Sequence, residues 1–155
     1  MLSFVVILGL FFVPPKDWKK VDSEHLPASV KSGYLCKGEK GFCPSLNLAV
    51  EKVKSTQEQY IKSVRKIHEL NPQNRWRNLG SFQTTEGDAI LTEIDTKNKL
   101  GDVRLLQLIL VKEGYAYILT ASALKEEFGK HCKEFQQSFK TFQIKPESFI
   151  VDASN

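Results

Sequence analysis

The sequence predicts an α+β domain, an antiparallel sheet with amphipathic helices packed on it, and three stretches carry that prediction. The first is Asp102–Ser122, two strongly apolar runs split by Lys112-Glu113-Gly114. The second is the stripe Leu124, Phe128, Cys132, Phe135 and Phe139, spaced by the three- and four-residue steps of a single helix face. The third is Ser55–Leu70, an apolar-periodic segment opened by Ser55-Thr56-Gln57-Glu58. A serine followed three residues on by glutamate is a capping box, in which each side chain satisfies a backbone N–H of the first helical turn.

The central runs read as two strands, Val103–Val111 and Tyr115–Ala121. In the first, both alternating sets are largely apolar: Leu106, Leu108 and Leu110 on one side, Leu105, Ile109 and Val111 on the other. That is the composition of a strand covered on both faces. Ser122 reads as the N-cap of the second helix, whose apolar stripe covers the sheet. Cys132 lies within the stripe and reads as a small buried hydrophobe. His131 faces another way, so the two adjacent residues do not form a catalytic pair. Phe142 and Ile144 close the domain.

Upstream, Pro14–Ser29 is a turn-rich stretch with Trp18 as its one large anchor. Val30–Lys37 and Ser45–Lys54 read as strands joined by Gly38-Glu39-Lys40-Gly41, a hairpin loop with glycine at both ends. In a symmetric register opposite positions sum to 79, which sets Cys36 across from Cys43. Two readings stay open, a cross-strand disulfide in an exported protein and two reduced thiols in a cytosolic one. A metal site is not indicated, because no second ligand pair stands at metal-binding spacing. In the first helix Tyr60, Ile61, Val64, Ile67, His68 and Leu70 form the apolar stripe, Lys62, Arg65 and Lys66 lie toward the opposite face, and Asn71-Pro72 ends it. His68, at the stripe's edge, reads as a packed helix residue rather than a ligand or base. Trp76–Thr84 and Asp88–Thr96 are further strands, followed by a polar turn at Lys97–Gly101.

Leu2–Val13 is an unbroken apolar run ending at Pro14-Pro15. It is shorter than the roughly 20 residues that span a bilayer and suits the apolar core of a secretory signal. Against a clean signal, no basic residue precedes the run, no small-x-small cleavage site follows it, and no cysteine follows that would make a lipoprotein anchor. Residues 1–10 are therefore a signal or anchor remnant or the start of the first strand, 11–145 a single domain, and 146–155 a loose tail. Export or membrane association is favoured over the cytoplasm.

The net charge of +4 is unevenly spread. Residues 1–80 hold 13 Lys or Arg against 7 Asp or Glu, whereas residues 81–155 hold 9 against 11. A basic N-terminal half suits an acidic protein partner or an anionic membrane surface, and nucleic-acid binding is not expected. The candidate contact residues are Lys62, Arg65 and Lys66 on the helix, with Lys37 and Lys40 in the hairpin loop. The sequence contains no glycine-rich phosphate loop, HExxH or GxSxG. Glu93, Asp95 and Asp102 fall at strand edges or turns, where acidic residues normally solvate the surface. No catalytic, cofactor-binding or metal-ligating residue is assigned. The alternative to an interaction domain is a small-ligand-binding or enzymatic domain with a cleft between sheet and helix, near Trp18, Trp76 and Tyr115.

Four short pieces carry a family resemblance: Val13-Pro14-Pro15-Lys16-Asp17-Trp18, Ser45-Leu46-Asn47-Leu48-Ala49-Val50-Glu51, Tyr117-Ile118-Leu119-Thr120-Ala121-Ser122 and Phe135-Gln136-Gln137-Ser138-Phe139-Lys140. In this order, around a capped helix, they resemble the PsbP-like domains, a group that includes the DcrB-type bacterial envelope proteins. The resemblance runs from Phe11 to Ile144. It implies an α/β/α sandwich with a central, mainly antiparallel sheet, and a non-enzymatic accessory role exercised by docking to a protein assembly. It implies no shared site residues, so none is carried across.

Overall fold

The computed structural model describes residues 2–38 and 41–152, with side chains for 9–38 and 41–145. At its centre lie β7 (Gly101–Lys112) and β8 (Tyr115–Leu124), joined by Glu113-Gly114. Both loop residues have positive φ, 51° and 83°. That pair of left-handed conformations makes the two-residue turn whose twist matches that of the flanking strands. The ladder runs from Lys112 opposite Tyr115 to Val103 opposite Leu124.

Two more two-residue loops extend the meander outward, to β6 (Gly87–Asn98) and then β5 (Arg75–Thr84). On the other side of β8 come β4 (Ser45–Lys52), β3 (Val30–Leu35) and the short β2 (Lys19–Lys20). The sheet order is β2-β3-β4-β8-β7-β6-β5, and every pairing is antiparallel. A separate two-stranded ribbon pairs β1 (Leu2–Phe11) with β9 (Gln143–Asp152). Residues 146–152, read from the sequence as part of a loose tail, thus continue β9 in backbone pairing with residues 2–8. The β5–β6 turn holds the start of β9: Glu86 Oε1 accepts from the Ile144 amide at 2.9 Å, and Thr85 donates to the Phe142 carbonyl at 3.2 Å.

Strand alternation sends β7 and β8 side chains to opposite faces. Leu106, Leu108, Leu110, Tyr117, Leu119 and Ala121 pack into one core with Phe128, Phe135 and Phe139 of α2 (Phe128–Lys140). The other set, including Gln107, Ile109 and Ile118, meets α1 (Gln57–Glu69). The two helices therefore cover opposite faces, and the α+β architecture is a sandwich around an antiparallel sheet.

Three local readings shift. The cap of α1 is Thr56, which accepts from the Gln59 amide at 3.2 Å while the Gln59 side chain accepts from the Thr56 amide at 3.0 Å. The capping box thus sits one residue later than Ser55/Glu58. Ser122 is not a helix cap: β8 continues to Leu124 because β7 still offers a partner there, and Ser122 Oγ lies 2.6 Å from Ser45 Oγ. In the β3–β4 hairpin, opposite residues sum to 80 (Leu35 with Ser45, Tyr34 with Leu46). The Cys36 amide accordingly donates to Pro44 O at 2.9 Å, and Cys36 faces Pro44 rather than Cys43. Position 38 in the loop admits only glycine, since a β-carbon there would stand 1.5 Å from Phe42 O.

Thr92 is fully buried on the α1 face, and its hydroxyl has no hydrogen-bond partner among the described residues. A buried hydroxyl without a partner loses its hydration and gains nothing, and an isosteric apolar group removes that cost. Thr92→Val is expected to leave stability unchanged or raise it by up to about 1 kcal/mol, measured by urea unfolding. A loss of that size would mean that the hydroxyl is satisfied in solution.

Candidate functional site

Helix α1 is lightly seated: Ile61 is its one buried residue, whereas α2 buries three phenylalanines and Ser138. The Gln57 side chain pins its first turn, accepting from the Val111 amide at 2.9 Å and donating to Asp88 O at 2.9 Å. Beside the helix, over β5 and β6, opens a cleft of about 520 Å³. Trp76, Ile61 and Ile90 make its apolar floor, and Gln57, Glu58, Lys62, Arg65 and Asn78 its polar rim. The Arg65 guanidinium lies 5.7 Å from the Trp76 ring centroid, and its Nε is 2.7 Å from Glu69 Oε1. Lys62 Nζ stands 3.4 Å from Glu58 Oε1. Exposed i,i+4 pairs contribute only about 0.3–0.5 kcal/mol, so a partner carboxylate displaces them at little cost. The Trp76 indole N–H is buried without a hydrogen-bond partner among the described residues.

Of the sequence candidates, Lys62 and Arg65 therefore border the cleft, and Lys66 is exposed one step further along α1. Lys37 is exposed beyond the end of β3, near the opposite edge of the sheet from β5. Five strand spacings of about 4.8 Å separate β3 from β5, so the loop and the helix are separate surfaces. Lys40 lies outside the described residues. Of the aromatics expected near a cleft, Trp76 lines this one. Trp18 packs edge-on to Phe135 at 5.9 Å, and Tyr115 lies 6.4 Å from Tyr117 beside the core. His68 borders a smaller hollow of about 150 Å³ with Val64, Ile67 and Ile118. Burial lowers its pKa, and its Nδ1 is 3.2 Å from the Asn74 side-chain amide, the setting of a packed neutral imidazole.

On the other sheet face the structure assembles a charged network that strand-by-strand reading missed. Glu93, expected to be solvated, is 7% exposed and paired with both Arg77 and Arg104. Arg104 makes a two-pronged contact with Asp95, Nε to Oδ1 at 2.7 Å and Nη2 to Oδ2 at 3.0 Å. Lys125 adds a third cation, 3.3 Å from Asp95 Oδ2. The hydrogen bonds from Arg104, followed by those from Lys125, hold the Asp95 carboxyl below the usual carboxylate range. The missed signal was register: a tight turn at Lys99-Leu100 sets Asp95 opposite Arg104.

Cys36 and Cys43 are both free thiols, as is Cys132. Burial, with nearby acidic groups and Cys43, pushes the Cys36 thiol up, away from the reactive thiolate. Cys132 instead accepts from Gln136 Nε2 at 3.3 Å, and His131 stacks on Phe135, centroid to centroid 5.8 Å. Among the described residues, Asp22, Glu24 and His25 bring ligand atoms within 4.8 Å of one another, but all three are exposed on a short turn. Such acidic clusters are ordinary surface features.

The architecture is the PsbP-like/DcrB-like fold, shared with solved structures of diverse origin. LpqN of Mycobacterium tuberculosis, described as involved in cell envelope biogenesis, superposes with a TM-score of 0.66 at 12% identity, covering 94% of this chain and 92% of that one. The Ran-binding protein Mog1p of Saccharomyces cerevisiae gives 0.55 at 15% identity, covering 91% and 96%. The cyanobacterial PsbP of Synechocystis sp. PCC 6803 gives 0.53 at 11% identity, covering 89% and 92%. At these identities the likeness is one of fold. No family model and no curated protein matches the chain by sequence.

The Asp95 cluster implies an acid-sensitive fold. A carboxyl whose folded pKa is depressed contributes stability above its unfolded value of about 3.9, and that contribution is lost as pH falls through the folded pKa. Asp95→Asn is expected to destabilise by about 1–3 kcal/mol at neutral pH and to flatten the acid limb of the stability profile. Parallel profiles for the two proteins below pH 4 would show that Asp95 is not part of that limb.

Proposed function

We propose that this protein is a non-enzymatic interaction domain of a bacterial envelope, which docks a protein partner on α1 and the cleft beside it. The cleft carries the reading. It combines an apolar floor around Trp76 with a rim of exposed, weakly paired charges, the composition in which an aromatic anchor and flanking arginine contribute most of an interface's energy. Light seating suits α1 to the task, because few buried contacts resist a small adjustment on binding. The involvement of LpqN in envelope biogenesis and the Ran binding of Mog1p are compatible with a docking role on this fold. A protein partner is favoured over an anionic bilayer. Glu58 and Glu69 offset Lys62 and Arg65, so the exposed face of α1 keeps little net charge to attract lipid.

Charge reversal tests this surface. The triple variant Lys62→Glu, Arg65→Glu and Lys66→Glu is expected to lose partner capture in a pull-down from envelope fractions, with its circular dichroism spectrum and melting temperature retained. Vesicle flotation should be negligible for both proteins. Undiminished capture by a folded triple variant removes α1 from the interface. The volume of the cleft supports a second reading, a small amphipathic ligand, since pockets of about 300–1,000 Å³ hold such molecules. A concentration-dependent rise in melting temperature with one compound, abolished by Ile90→Arg, would favour it. A flat response across a broad library counts against it.

A further inference from the structure

Strand β5 is the last strand of the sheet, so its outer backbone N–H and C=O groups have no ladder partner among the described residues. Its first four residues, Arg75–Asn78, run straight. A register shift then breaks the ladder between Asn78 and Gly80, where Gly80 takes φ +95° and its amide donates to Asn78 Oδ1 at 2.7 Å. Bulges and edge arginines are devices that keep edges from pairing with one another. Protection alone, however, does not account for what flanks this edge. On one face lies the cleft, floored by Trp76. At the bulge Leu79 is 44% exposed. On the other face stand Arg75, without an ion pair among the described residues, and Arg77, whose side chain is 60% exposed despite its contact with Glu93.

We infer that the partner engages by strand addition to β5, through an extended segment that alternates acidic and apolar residues. This rests on the interaction reading above and gives it a ligand chemistry. A strand laid along Arg75–Asn78 sends alternate side chains to the two faces of the sheet. Residues of one parity enter the cleft against Trp76 and Ile90. Residues of the other parity meet Arg75 and Arg77. On that face Arg75 and Arg77 are exposed at the edge, Arg75 has no ion pair among the described residues and Arg77 shares Glu93 with Arg104, which leaves positive charge for carboxylates to neutralise. The same arginines disfavour a second copy of the chain, because antiparallel pairing of two β5 strands would bring like charges together. The bulge limits the contact to the few residues before Leu79.

The probe is a short synthetic peptide alternating glutamate with leucine, compared with a scrambled peptide of the same composition and with two peptides N-methylated at every second amide, one in each register. Binding is followed by Trp fluorescence and by hydrogen exchange of the β5 amides. Saturable binding of the alternating peptide and not of the scrambled one is expected, with protection confined to Arg75–Asn78. Affinity should fall by about tenfold in Arg75→Glu/Arg77→Glu, and N-methylation of the amides that face β5 should abolish binding, whereas N-methylation of those that face away should leave it. Equal binding of the scrambled or both N-methylated registers overturns strand addition. So does an absence of peptide binding in a protein whose envelope partner is still captured through α1, an outcome that leaves the docking surface standing. Failure of the α1 charge reversal to affect capture, by contrast, removes the docking surface itself.

Discussion

The structure depends on one constraint, the two-residue turn at Glu113-Gly114 between two strands that are each buried on both faces. With a side-chain period of two, a slip of one residue would send Leu106, Leu108 and Leu110 to the α1 face and exchange the whole of each set. The turn fixes that register at one end. The phenylalanines of α2 reward it from one side, and Phe135 and Phe139 are wholly inaccessible. Truncating either to alanine would cost about 3–5 kcal/mol, a large part of the stability of an ordinary domain.

The two faces are unequal, and this inequality positions the candidate site. Aromatic side chains fill the space between α2 and the sheet. Across the sheet, α1 buries one isoleucine and is held at its first turn by Gln57, so space remains along both of its flanks. The cleft at Trp76 lies where a thinly packed helix overhangs the last two strands of the sheet. Its rim charges are satisfied within α1 itself by exposed pairs of small energy, an arrangement that tolerates exchange for a partner's groups. The buried network of Glu93, Asp95 and Arg104 works in the opposite sense. Its charges are enclosed, mutually neutralising and expensive to separate, which suits them to bracing β5, β6 and β7 rather than to contacting a ligand.

What was legible in the sequence followed from short-range periodicity. The two central strands, the amphipathic helices, the capped start of α1 and the place of Cys132, half-buried, in a stripe all depend on spacing within one element. The errors lay one residue away from correct readings, at places where two elements compete or meet. Ser122 is a good helix cap by type, yet β7 still had a free edge to pair. Cys36 and Cys43 are symmetric about their loop, yet the strands pair one residue off that symmetry, with Cys36 hydrogen-bonded to Pro44. Glu93 looks like a solvated strand-edge carboxylate until strand pairing brings Arg77 and Arg104 to it.

The sequence by itself determined the class of fold, because apolar periods of two and near 3.6 specify which faces must be buried wherever the chain goes. It also displayed the basic side chains of α1, the PsbP-like order of elements and the tryptophan that floors the cleft. Only the tertiary structure decided which edge of the sheet stays open, and that α1 overhangs it. Only there does it emerge that Trp76, Arg65 and Arg77 gather around one short stretch of unpaired backbone. Those are relations between residues far apart in the chain. They are set by strand order and helix placement, which local periodicity does not encode.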